Sequence, residues 1–189
     1  MAGREPLSRA AAMQWARQQV DRLDARLLLE FAAQCRPEAL IAYPEVLLTV
    51  AQWEAFQTLV VRRAAGEPLA YLVGEAGFYG HQLAVSPDVL VPRPETEDLV
   101  DWALMILQGC GAPVIADLGT GSGAIALALA HARPDARVIG VDVSDAALEV
   151  AESNRQRLGL QNIEWRCASW FAGWDVAGLD LIISNPPYI

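Results

Sequence analysis

The chain has 189 residues, of which 53% are hydrophobic and 20% charged, a balance that excludes a disordered polar chain and leaves room for one good core, or one core plus a small bundle. All 14 basic residues are Arg, so the sequence offers neither a Schiff-base lysine nor the phosphate-binding lysine of a P-loop. The net charge of −9 lies wholly after residue 70, where six Arg face fifteen Asp or Glu, and so acidic a half argues against general adhesion to nucleic acid.

Residues 6–67 read as helices. Leu27, Leu28, Phe31 and Ala32 recur at helical spacing over 24–35, and the pattern stops before Arg36-Pro37. Thr49 and Gln52 have the spacing of a capping box, and the helix they open presents Trp53, Phe56, Val60 and Val61 before Gly66. From Gly74 the glycines, aromatics and β-branched residues predict a short hairpin, one strand over 77–85 and its mate over 89–91. Pro92-Arg93-Pro94-Glu95-Thr96-Glu97 then opens a helix expected to run to about Leu107.

Beyond Pro113 strands and helices alternate: strand 114–118, helix 124–132, strand 137–143, helix 146–158, strand 163–167 and strand 179–184. Such alternation implies crossover connections and a parallel sheet, an α/β fold. The expected organisation is a helical N-terminal domain over 1–73, a β-hairpin linker over 74–92 and an α/β domain over 93–189.

Composition narrows the chemistry further. No apolar run reaches the ~18–20 residues of a membrane span, and the first residues lack a signal-peptide plan, so a cytoplasmic protein without membrane contact is expected. Cys35, Cys110 and Cys167 are odd in number and far apart, as reduced thiols are, and His81 and His131 are too few for a histidine-built metal site. No metal is expected.

The central motif is Asp117-Leu118-Gly119-Thr120-Gly121-Ser122-Gly123-Ala124, which leaves a strand and opens a helix. Its glycines let the backbone turn sharply and approach a ligand. Alone it also satisfies a relaxed dinucleotide fingerprint, so NAD is a rival ligand at this point. Asp142 ends the next strand, where a carboxylate can accept both ribose hydroxyls; that fits either nucleoside. The last strand separates them, because it ends in Asn185-Pro186-Pro187-Tyr188. Hydride transfer has no use for that sequence, whereas methylation of a planar amino nitrogen does. The nitrogen's lone pair is delocalised, so a site must hold its N–H bonds and aim it at the methyl of S-adenosylmethionine. The Asn185 oxygen can accept one N–H and the Pro186 carbonyl another, two prolines keep both fixed, and Tyr188 offers a flat face for stacking. Positioning of this kind can supply ~7–11 kcal/mol of a barrier.

With these motifs in place, the chain resembles the release-factor glutamine N5-methyltransferase family (PrmC/HemK). The resemblance rests on Gly66-Glu67-Pro68-Leu69-Ala70-Tyr71-Leu72, on residues 90–97 with their Pro-Arg-Pro-Glu-Thr-Glu stretch, on the glycine loop and on Asn-Pro-Pro-Tyr. It implies a Rossmann-like class I methyltransferase domain, here with its first four strands, and a small helical domain that recognises substrate. It implies that Gly119, Thr120, Gly121, Ser122, Gly123, Asp142, Trp170 and Asn185 contact S-adenosylmethionine and its product S-adenosylhomocysteine. It further implies that Asn185, Pro186, Pro187 and Tyr188 hold the glutamine of the Gly-Gly-Gln loop of class 1 peptide chain release factors, with Asn185 and Pro186 at the catalytic step. Ser169 stands where the family often has Asp. Family members continue past Asn-Pro-Pro-Tyr, so the sequence is expected to be truncated at its C-terminus. The alternatives are methylation of an amino group on a nucleic acid base, and an inactive cofactor-binding fragment.

Overall fold

A computed structural model describes residues 7–174 and 177–186. The chain divides into two units, residues 1–73 and 74–189.

In the first unit, α1 (Arg9–Ala16), α2 (Arg22–Ala33), α3 (Pro37–Ala42), α4 (Val50–Ala64) and α5 (Leu69–Val73) follow one another. Their starts are written in the sequence. Ser8 and Asp21 accept backbone N–H bonds at the first turns of α1 and α2, and Thr49 and Gln52 form the expected capping box on α4. The apolar stripes meet in a core of Ala12, Leu28, Leu29, Trp53, Phe56 and Val60, with Trp15 edge-on to Trp53 at 4.9 Å. Val61, expected on the apolar face, is instead exposed. Arg62 pairs with Glu67, and Arg63 pairs with the buried Asp24 while also donating to the Glu67 carbonyl. Both guanidiniums therefore brace this unit.

The second unit opens with the hairpin β1 (Glu75–Phe78) and β2 (His81–Ala84). Its register differs from the expected one. Tyr79 and Gly80 both have positive φ, 47° and 77°, as the two central residues of a type I′ turn require. The chain thus doubles back at once, with Phe78 opposite His81 and Glu75 opposite Ala84. Residues 89–91 are not a strand. Nor does the hairpin stand apart as a linker. Phe78 and Leu83 are buried in the unit's main core, and the fully buried Asn154 binds both polar groups of Ala84's backbone at 2.7 and 3.0 Å.

A 3-10 turn (Pro94–Thr96) leads into α6 (Glu97–Ile106), followed by β3 (Val114–Leu118), α7 (Ala124–Ala132), β4 (Arg137–Asp142), α8 (Asp145–Leu158), β5 (Ile163–Cys167) and β6 (Leu181–Ser184). The four strands form a parallel sheet in the order β5-β4-β3-β6. Side chains alternate across it. Ile115, Val138, Ile163 and Ile183 join the core with α6 and α7, while Ala116, Leu118, Ile139 and Val141 pack on the other face with Ala168, Trp174 and Leu179. Helix α7 is buried from Ala124 through Ala130, which explains why its sequence is apolar on every side.

This order creates a switch point. After β3 the chain moves outward through β4 and β5, then returns to place β6 on the opposite side of β3. Loops leaving β3 and β6 therefore diverge at the carboxyl edge, which is where open α/β sheets bind ligands. Among the described residues, no helix is long and apolar enough to cross a membrane.

Candidate functional site

The glycine loop leaves β3 at that edge. Gly119, Gly121 and Gly123 have φ of 71°, 55° and 81°, a region that side-chain-bearing residues enter only under strain. The loop is pinned from several directions. The N–H groups of Gly119 and Thr120 both donate to the Val141 carbonyl, at 2.8 and 2.9 Å. Gly121 N–H donates to Asp142 Oδ2 at 2.9 Å, and Ser144 N–H to Asp142 Oδ1 at 3.0 Å. The Ser122 carbonyl accepts from the same Asn154 amide that ties down the hairpin. Asp142 thus clasps the loop by one oxygen and the start of α8 by the other.

The side chains of Thr120 and Ser122 are buried, so at these two positions the loop's outer surface is backbone. Thr120 Oγ1 donates to Asp117 Oδ2 at 2.7 Å, and Ala126 N–H reaches the same oxygen at 3.2 Å. Asp117 Oδ1 is buried and has no hydrogen-bond partner among the described residues. Burial raises the Asp117 carboxyl to about 6, against the opposing pull of its bonds from Thr120 and Ala126. A buried carboxylate oxygen without a donor is what a cationic ligand would satisfy. That orphaned atom at the base of a glycine loop fits a ligand bearing an ammonium group, which S-adenosylmethionine does. Asp117 stands in the glycine motif, but spacing alone assigns it no role.

Trp165 on β5 supports the loop from beneath. A methyl group added at Gly140 would lie 2.3 Å from its ring, and one at Gly123 would lie 3.0 Å from it. The indole N–H donates to Glu152 at 2.9 Å, and Arg155 holds that carboxyl down at about 2, so the anchor stays charged. Spacing alone gave no sign of this stack.

Asn185 and Pro186 follow β6, beside the loop, with the Pro186 Cα 3.9 Å from the position a Cβ would take on Gly119. Ser184 Oγ donates to the Leu118 carbonyl at 2.7 Å and fixes the two strand ends together. Asn185 Nδ2 donates to Thr96 Oγ1 at 2.9 Å; among the described residues its Oδ1 has no donor. A cleft of about 550 Å³ opens here, lined by Leu90, Arg93, Glu95, Thr96, Leu99, Asn185 and Pro186. The Pro-Arg-Pro-Glu-Thr-Glu stretch and the first half of Asn-Pro-Pro-Tyr, 89 residues apart in sequence at Thr96 and Asn185, thus line one cavity. Pro187 and Tyr188 lie outside the described residues.

Trp170 is not a core residue. It is 55% exposed, has φ of 52°, and sits in the turn after β5, beyond Cys167, which pairs with Asp142. Among the described residues no group of His, Cys, Asp and Glu is arranged to hold a metal ion.

Comparison with known proteins yields two matches to protein families. Residues 7–74 match the PrmC N-terminal domain, and residues 104–189 match the methyltransferase small domain. Among curated proteins, the release factor glutamine methyltransferase of Xylella fastidiosa is 44% identical over 92% of this chain and 63% of its own length. That of Bordetella pertussis is 47% identical over 89% of this chain and 62% of its own. The chain therefore spans about three-fifths of the length of the curated relatives it matches. Among solved structures, a SAM-dependent methyltransferase from Agrobacterium tumefaciens aligns with a TM-score of 0.50 at 22% identity, covering 60% of this chain and 39% of that one. That likeness concerns the fold, which is that of a class I methyltransferase.

Proposed function

Given a chain that belongs to the release factor glutamine methyltransferase family, we propose that the whole protein transfers a methyl group from S-adenosylmethionine to the side-chain amide nitrogen of a glutamine. The glutamine is the one in the Gly-Gly-Gln motif of class 1 release factors, in the cytoplasm where translation terminates. The observation that carries this reading is the placement of Asn185 and Pro186 beside the glycine loop at the sheet's switch point.

Each residue then has a distinct task. The backbone of residues 119–123 borders the cofactor, Asp142 takes the ribose hydroxyls with the lone pairs left after its bonds to Gly121 and Ser144, and Asp117 faces the ammonium group. Trp170, exposed beyond the strand next to Asp142, is assigned to the adenine. When bound, S-adenosylmethionine supplies an electrophilic methyl group on a sulfonium sulfur. Asn185 Oδ1 and the Pro186 carbonyl accept the two N–H bonds of the substrate amide and so orient its nitrogen. Pro187 and Tyr188 are assigned to the rest of the glutamine side chain. No side chain needs to remove a proton before transfer, because the product nitrogen loses it afterwards to water. Positioning is the main contribution such a site makes.

Methylation of a nucleic acid base would use the same Asn-Pro-Pro geometry, but the second unit's excess of acids opposes a phosphate backbone. Incubation with labelled S-adenosylmethionine, purified release factor, tRNA and DNA separates the two. Label in release factor alone is expected; label in nucleic acid alone would replace this reading.

A further inference from the structure

We infer that Thr96 is a positioning residue which holds the Asn185 amide in the orientation that offers its oxygen to the substrate. The inference rests on the function proposed above.

An asparagine side chain presents two opposite chemistries, an accepting oxygen and a donating NH2, and a half-turn of the amide exchanges them. The task assigned to Asn185 tolerates only one orientation. An outward NH2 would meet the substrate's own N–H donors and leave both unpaired. The backbone cannot choose between the two states, because the terminal torsion of Asn is broad. What holds the amide here is Thr96, whose Oγ1 accepts from Asn185 Nδ2 at 2.9 Å; in the state the structure shows, that bond leaves Oδ1 for the substrate.

Thr96 is well placed to do this. It is 8% exposed, and its N–H donates to the Arg93 carbonyl at 3.0 Å, so the chain is turned tightly behind it. Pro94 enters that turn with its φ restricted, and α6 leaves it directly. Thr96 makes no side-chain cap on α6, so the hydroxyl is left for Asn185. On the other side, Asn185 follows a strand end fixed by the Ser184–Leu118 bond. Two rigid segments thus converge on one hydrogen bond at the wall of the cleft. Thr96 need not touch substrate; it acts through Asn185.

The test is a double-mutant cycle in an enzyme of the relatives' full length, with release factor as substrate. Thr96→Val removes the acceptor at nearly constant volume. It should lower kcat by about ten- to a hundredfold, the scale of a misoriented reacting group. S-adenosylhomocysteine affinity and the melting temperature should change little, and Thr96→Ser should recover most of the turnover. In an Asn185→Ala background, Thr96→Val should have no further effect, since nothing remains to orient. Should Thr96→Val not fold, Thr96→Ala, which removes the acceptor without adding bulk, takes its place. Unchanged kcat in Thr96→Val overturns the inference. So does an equal loss in the Asn185→Ala background, which would mark Thr96 as a packing residue. Failure of the proposed function is distinguishable: the unsubstituted enzyme would then move no methyl to release factor. The contact is in that case read from the Asn185 side-chain NH2 resonances, which Thr96→Val should shift and Thr96→Ser should retain; unshifted resonances overturn it.

Discussion

Two carboxylates flank the glycine loop, and their surroundings separate their behaviour. Asp142 accepts two backbone N–H bonds, whereas Asp117 is buried with one oxygen unpaired among the described residues and its carboxyl raised to about 6. In the free protein Asp117 is thus protonated below that pH. A cationic ligand favours its charged form, so binding releases a proton, and S-adenosylhomocysteine affinity should rise as pH increases from about 5 to 7 and level off above. The slope should approach tenfold per pH unit at most. Asp117→Asn should flatten it; calorimetry across that range checks both. Asp142→Ala should weaken cofactor binding by ~1.5–3 kcal/mol, the worth of charge-assisted bonds. Asn185→Ala should lower turnover while cofactor affinity falls less. Parallel calorimetry and kinetics decide, and loss of affinity in both with turnover intact at saturation would contradict the assigned roles. The motif alone pointed to Asp142 and Asn185, because each closes a strand beside a diagnostic turn. The partners of those residues were not legible. Thr96 meets Asn185 only once β6 lies next to β3, and Asn154 reaches Ser122 only once α8 packs behind the loop.

At the level of elements, the glycine loop depends on a strand two places away. The Trp165 ring fills the space a side chain at Gly140 would need, and Glu152 holds the indole in place. Gly140→Ala should therefore destabilise the protein by ~1–3 kcal/mol through overpacking. It should also weaken cofactor binding, as the displaced ring pushes on Gly123. Urea unfolding tests the first effect and calorimetry the second. Adding Trp165→Leu should relieve the clash; if it does not, the ring is not what excludes a side chain. Helices and parallel strands were readable from period and caps, since their signals are local: β3, α7 and β5 coincide with their predicted spans. The hairpin was not, because Gly77, Gly80 and the Val-rich stretch after it permit several registers, and only the positive φ of Tyr79 and Gly80 selects one.

For the whole molecule, the two units differ in charge, a neutral helical part and an acidic α/β part. On the proposed function, a small glutamine amide offers little binding energy, so contacts remote from the reacting nitrogen are expected to hold the release factor. Arg62 and Arg63 are committed to Glu67 and Asp24 and Arg26 to Glu30; among the described residues of the helical unit, Arg17, Arg22 and Arg36 are exposed and in no ion pair, which suits them to that task. Removing residues 1–73 from an enzyme of the relatives' length should reduce methylation of intact release factor and spare cofactor binding. Unchanged methylation would exclude the helical unit as the docking element. The methyl group should reach one atom, the side-chain nitrogen of a single glutamine. Release factor treated with S-adenosylmethionine and the full-length enzyme should be digested and its peptides sequenced by mass spectrometry. The account predicts one added methyl group on the Gly-Gly-Gln glutamine, and none after treatment with the Asn185→Ala enzyme. A methyl group on any other residue, or an undiminished yield with Asn185→Ala, would contradict it.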